Sequence, residues 1–127
     1  MFKTGILNPQ INSLLSRVRH TNTLVIADRG FPFRPQIETI DIALIDDIPT
    51  VLQVVQALLQ NFGVGTAWMA EEFRQHNTAG ACRRFSSLLP NVTWLPHTEL
   101  MKRVPAAIGL IRTGDTTQYA NVILEST

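Results

Sequence analysis

An imidazole, His20, and a carboxylate, Asp28, stand on either side of the apolar run Thr23-Leu24-Val25-Ile26-Ala27. A histidine gives and takes protons at neutral pH because its unperturbed pKa is near about 6.5, and a carboxylate accepts from two hydroxyls at once. An extended run rises roughly 3.3 Å per residue, so it either holds the two groups apart or lets its flanking turns fold them toward one pocket. His20 falls in a helix-to-strand turn, neither on a core stripe nor in a long solvent loop. Asp28 falls just past the carboxyl end of a parallel strand, where open α/β sheets place ligand groups. An Asp before Arg29-Gly30 also serves a turn by bonding its backbone, so both readings stand. His97, between Pro96 and Thr98, is either a surface loop residue or a ligand contact. Tyr119 and Asn121 alternate with Ala120 and are expected to point the same way from the start of the last strand, as they would on an ordinary edge strand.

Other chemistries find little footing. His20, His76 and His97 share no i,i+4 spacing and no cysteine cluster accompanies them, so no metal site is expected. Gly63-Val64-Gly65 follows a helix instead of opening one, and no phosphate-loop pattern occurs, so nucleotide binding is not expected. Cys82 lies among Ala79, Gly80, Ala81 and Phe85 on an expected helix and reads as a small buried thiol, not a nucleophile.

The elements that must position these residues follow from periodicity. The chain has 127 residues, 45% hydrophobic and 17% charged, enough for one domain over 1–127 burying roughly two-thirds of its unfolded surface. A net charge of +1 offers no general attraction for nucleic acid or anionic lipid. The single cysteine excludes an intrachain disulfide, which fits a cytoplasmic protein. No signal-peptide core and no run of about 20 apolar residues occurs, so no membrane partner is expected. Asn8-Pro9 predicts a helix over 9–19, with Ile11, Leu14, Leu15 and Val18 on one stripe. A strand follows over 23–27, then a glycine- and proline-bearing loop from Arg29 to Pro35, and a strand over 39–44. Thr50 and Gln53 form a capping box for a helix running to Phe62, ended by Gly63. Beyond it come strand 65–69, helix 80–89, strand 92–95, helix 98–103 and strands 107–111 and 120–124. This alternation predicts an α/β domain, a three-layer α/β/α sandwich around a mostly parallel sheet.

The stretch from His20 to Pro32, together with Tyr119-Ala120-Asn121-Val122-Ile123-Leu124, resembles the D-ribose pyranase family of sugar mutarotases, with fucose mutarotases as a related branch. Gly5-Ile6-Leu7-Asn8, Ile40-Asp41-Ile42-Ala43-Leu44 and Ile111-Arg112-Thr113-Gly114 extend the likeness along the chain. The resemblance implies an isomerase that interconverts pyranose and furanose forms of D-ribose or a related monosaccharide. It implies His20 as the acid/base group, and Asp28, His97, Tyr119, Ala120 and Asn121 as sugar contacts. Opening and reclosing a hemiacetal is proton shuttling, so no cofactor and no metal are needed. It further implies a ring, a homodecamer of two pentamers, in which His20 and Asp28 of one subunit face Tyr119 and Asn121 of the next. A non-catalytic sugar-binding or regulatory protein of the same fold is the alternative.

The chain departs from the family pattern at three places. Arg29 follows the aspartate where a small residue is usual; it is expected to pair with Asp28, to point to solvent, or to set specificity by meeting an anionic group such as a sugar phosphate. Phe31 and Phe33 are bulkier than the usual aliphatic residues, and the chain stops at Glu125-Ser126-Thr127 where relatives run on, which is expected to alter subunit packing.

Overall fold

The computed structural model describes residues 1–89 and 91–127. Helix α1 spans Pro9–Arg17: Asn8 caps it by accepting from the Ile11 N–H at 2.9 Å, and Pro9 supplies the preset φ of the first turn. Strand β1 is Thr23–Ala27, as expected, and β2 is only Thr39–Asp41. The expected extension to Leu44 fails because the Asp41 carboxylate accepts from the Ala43 N–H at 3.1 Å, a local turn that competes with strand pairing. Helix α2, Val51–Leu59, starts on the full capping box: Gln53 N–H donates to Thr50 Oγ1 at 3.2 Å and Thr50 N–H to Gln53 Oε1 at 2.9 Å. It stops short of Phe62 because the Asn61 N–H bonds the Leu58 carbonyl at 3.0 Å, tightening the last turn.

Strand β3 is Val64–Ala70, and α3, Glu71–His76, follows without a loop. The sequence reading held no helix there: its N-cap, Ala70, offers no side-chain bond and only Phe73 is buried, so neither a cap nor a stripe announces it. Helix α4 is Ala79–Leu88, capped by Thr78; β4 is Val92–Leu95; α5 is His97–Arg103, continued by a 3-10 turn at Val104–Ala106. Strands β5, Gly109–Arg112, and β6, Val122–Ser126, complete the chain.

The six strands form one sheet in the order β2-β5-β1-β6-β3-β4. Pairs β2/β5, β5/β1 and β3/β4 are parallel, whereas β6 runs antiparallel to both β1 and β3. The sheet is therefore mostly parallel with one reversed strand at its centre. Because side chains alternate along a strand, β1 sends Leu24 and Ile26 to one face and Val25 and Ala27 to the other. The first face packs on α1, α2 and α4 through Leu14, Val51, Val55, Leu58 and Phe85. The second is covered by Leu100 of α5 and Val104 of the 3-10 turn, and otherwise by Phe31 and Ile37 from the loop after β1. Both faces of β1 are thus buried, which is why its run is continuously apolar instead of alternating. The second covering layer holds a single helix and a loop, and a cavity opens beside them.

Candidate functional site

Strand β6 explains where the site forms. Val122 pairs with Ile26 at the carboxyl end of β1 and with Met69 near the carboxyl end of β3. Its antiparallel direction delivers residues 118–121 into the gap between the loops that follow β1 and β4. A cavity of about 570 Å³ lies there, lined by Asp28, Gly30, Phe31, Pro32, Arg34, His97, Met101, Gln118, Tyr119 and Asn121. That volume is in the range of about 300–1,000 Å³ common for small-molecule sites.

The polar groups are held by the backbone of their neighbours. Asn121 is buried and its Oδ1 accepts from the Asp28 N–H at 2.8 Å, tying the C-terminal loop to the end of β1. Asp28 Oδ1 accepts from the Gly30 N–H at 3.0 Å. Burial raises the Asp28 pKa above its ordinary value; the Gly30 N–H and the Asn121 side chain oppose that, and the nearby Asp115 carboxylate adds to it. Tyr119 sits in the left-handed region at φ 57°, so it is not in strand conformation. Its ring lies between two imidazoles, stacked on His76 at 5.3 Å and edge-on to His97 at 5.2 Å. The His97 N–H donates to Glu72 at 2.9 Å, while His97 Nδ1 is shielded from solvent and has no partner among the described residues. The cavity therefore offers an acceptor-rich carboxylate, an amide, a phenol and an imidazole, a set suited to a polyol that both donates and accepts.

The family model described as the RbsD / FucU transport protein family matches residues 1–127. The chain belongs to that family. It is 38% identical over 128 residues to the D-ribose pyranase of Chromobacterium violaceum, covering 99% of this chain and 97% of that one. To the D-ribose pyranase of Geobacillus thermodenitrificans it is 37% identical, covering 99% and 96%. Among solved structures, Bacillus subtilis RbsD complexed with D-ribose superposes with a TM-score of 0.92 at 30% identity, covering 99% of this chain and 97% of that one. The fucose mutarotase of Streptococcus pneumoniae in complex with L-fucose shares the fold, with a TM-score of 0.73 at 17% identity over 94% and 92%.

The residues singled out by sequence divide into two groups. Asp28, His97, Tyr119 and Asn121 line one cavity within a single chain. Ala120 is fully buried between Tyr119 and Asn121 and contributes spacing. This corrects the expectation that Asp28 faces Tyr119 and Asn121 of a neighbouring subunit: β6 lies against β1, so one chain brings all three together. It also corrects their placement at the start of a strand, since β6 begins at Val122. His20 is apart from them. It is exposed in the turn before β1, and the five-residue strand alone puts about 13 Å between its ends. Arg29 neither pairs with Asp28 nor lines the cavity: its guanidinium bonds Asp46 at 2.7 Å, and its carbonyl takes two bonds from Arg112. Cys82 is half-buried on α4 where a buried thiol was expected, and it lies away from the cavity lining.

Arg34, Met101 and Gln118 line the cavity without having been singled out. Arg34 sits between Phe33 and Pro35 in a segment that reads only as a loop, and nothing in its spacing shows which way it points. Among the described residues no three His, Cys, Asp or Glu side chains converge as a metal ion would need, and no helix is long and apolar enough to cross a membrane.

Proposed function

We propose that this chain, acting over 1–127 as a single domain in the cytoplasm, interconverts the pyranose and furanose forms of D-ribose or a related monosaccharide. The observation that carries the reading is the convergence of Asp28, His97, Tyr119 and Asn121 on one cavity, in a chain whose whole length matches proteins named D-ribose pyranase. The chemistry needed is modest. A proton leaves the anomeric hydroxyl as another reaches the ring oxygen, the ring opens, and a different hydroxyl closes on the carbonyl carbon. A positioned acid/base group is worth typically about 10²–10⁴-fold in such a step. Asp28 and Asn121 hold sugar hydroxyls, Tyr119 offers its ring face and phenol, and His97 faces the sugar from α5.

His20 is the acid/base group in this reading, and it must come from another subunit because it lies at the far end of β1 from the cavity of its own chain. A closed ring meets that requirement: a head-to-tail interface sets one chain's amino-terminal turn against its neighbour's cavity, and a decamer of two such pentamers extends it. His20→Ala should remove most ring exchange while sugar affinity stays within about tenfold. The decisive experiment mixes His20→Ala with Asn121→Ala, unfolds them together and reassembles them in equal amounts. Roughly a quarter of the interfaces then hold both native contributions, and exchange should return to about that fraction. Verified mixed rings without exchange overturn the shared site.

The distance of His20 from the cavity also favours a second reading, a sugar-binding protein without turnover. It predicts saturation-transfer NMR contacts to ribose with no acceleration of ring exchange, unchanged by His20→Ala. Exchange that persists in His20→Ala but vanishes in His97→Ala would move the acid/base role to the imidazole already lining the cavity.

A further inference from the structure

Arg34 is in an unusual position for a guanidinium. It is half-buried in the cavity wall, and its Nε is shielded from solvent with no hydrogen-bond partner among the described residues. Among the described residues its Nη2 meets only the Met101 thioether sulfur, a weak acceptor, at 4.0 Å. Other arginines are paired: Arg29 with Asp46, Arg112 with Asp41 and Arg17 with Glu38. Among the described residues no ion pair includes Arg34, so Asp28 does not neutralise it although both line the same cavity. A buried donor left without an acceptor is costly, and a charged one more so. The cavity thus has an acceptor-rich end at Asp28 and an unmet, permanently charged donor end at Arg34.

A neutral sugar fits the first end better than the second. Its hydroxyls donate to Asp28, but a hydroxyl is a weak match for a guanidinium fork that prefers two acceptor oxygens of one anion. From the unpaired guanidinium in the cavity wall we infer that the site takes a monosaccharide carrying an anionic substituent, a phosphate or a carboxylate, gripped by the guanidinium of Arg34. This rests on the reading of the cavity as the sugar site. Ring chemistry limits where the substituent sits. A pentose phosphorylated on O5 cannot close a pyranose ring, whereas an aldohexose with its anion at C6 keeps both O4 and O5 free. A hexose 6-phosphate or a hexuronate meets both requirements and is the substrate class inferred.

The test uses the intact protein in its native assembly, with D-galactose, D-galactose 6-phosphate and D-galacturonate as probes, and reads affinity by calorimetry and ring exchange by NMR. At low salt at least one anionic sugar should bind about tenfold or more tighter than galactose, and that advantage should shrink as salt is raised. Preference for the phosphate alone, the uronate alone or both identifies the substituent, and each supports the inference. Arg34→Gln should bring the anionic-to-neutral affinity ratio to within about threefold of unity, and Arg34→Lys should leave it intermediate by keeping the charge but not the fork. Equal affinity for charged and neutral sugars in the parent protein overturns the inference, as does a preference that survives Arg34→Gln. If galactose or ribose still undergoes accelerated exchange in that case, the mutarotase reading stands and only the anionic class falls. If no probe binds and no sugar exchanges, both fall.

Discussion

Replacing Asp115 with alanine tests whether the cavity depends on one buried carboxylate outside it. Asp115 is 3% exposed. Its Oδ2 accepts from the Val51 N–H at 2.8 Å, at the first turn of α2, and its Oδ1 from the Thr117 N–H at 2.8 Å. Its carbonyl accepts from the Arg29 N–H at 3.0 Å, so one residue joins the C-terminal loop to both α2 and the turn after β1. A carboxylate at a helix N-terminus also meets the positive end of the helix dipole. Alanine removes both acceptors and leaves two donors unserved, and Val51 is fully buried. Hydrogen bonds to a charged group are worth about 1.5–3 kcal/mol each, so the loss should total about 3–6 kcal/mol. Against a domain stability of about 5–15 kcal/mol this is a large share. Urea unfolding at fixed protein concentration reads it: with a slope of about 1–3 kcal/mol/M, even a 3 kcal/mol loss lowers the midpoint by about 1–3 M. Sugar affinity should fall in parallel, since Gln118, Tyr119 and Asn121 ride on the loop that Asp115 anchors. A stability loss below about 1 kcal/mol would refute the assignment of this carboxylate as the anchor.

Asp28→Asn should separate binding from stability. Burial raises the folded-state pKa of Asp28 above its ordinary value of 3.8, so as pH climbs through 3.8 the unfolded chain ionises first and the native protein loses stability until the folded value is passed. The asparagine variant escapes that loss: its stability relative to the parent should rise across this window and remain higher at neutral pH, while sugar binding drops. A variant whose relative stability is the same at pH 3 and pH 7 would contradict this origin of the shift. Thr50→Ala should remove the side-chain acceptor of the α2 capping box at a cost of about 1 kcal/mol, lowering the melting temperature by about 2–8 °C with little change in ring exchange. A drop in exchange at unchanged stability would show that α2 does more than support the sheet.

The parts of the fold legible in the sequence are those set by local rules. Asn8 and Thr50 marked two helix starts because a side-chain acceptor three residues before an unpaired N–H is a local bond, and both bonds form. Strand β1 was legible to the residue because a run buried on both faces has no competing helical period. What failed was non-local or unpatterned. Nothing within Val122–Ser126 tells that it inserts antiparallel between β1 and β3, since direction is fixed by partners distant in sequence. Helix α3 follows β3 with no cap and one buried residue, so neither start nor stripe was available.

The two arginines of the 29–35 loop show where sequence proximity to a site misleads. Arg29 is adjacent to Asp28 and was the natural suspect for specificity; Arg34 is six positions away and drew no attention. Strand alternation ends at Ala27, and beyond it the chain turns: the Asp28 carboxylate takes the Gly30 N–H, and the Phe31 N–H reaches the Asp28 carbonyl at 3.4 Å. That turn leaves the Arg29 side chain bonded to Asp46, while Arg112, the last residue of β5, fastens the Arg29 carbonyl. Phe31 then drops into the core beside Val25 and Ile37, and Pro32 carries the chain back past the cavity. Pro35 restricts the residue before it to extended conformations, and Arg34 is held there with its head in the cavity wall. In a loop without a period, the side chain that reaches a ligand is chosen by where the apolar anchors fall. Here the anchor is Phe31, buried beside Val25 and Ile37, and the arginine that lines the cavity is Arg34, not the one beside Asp28.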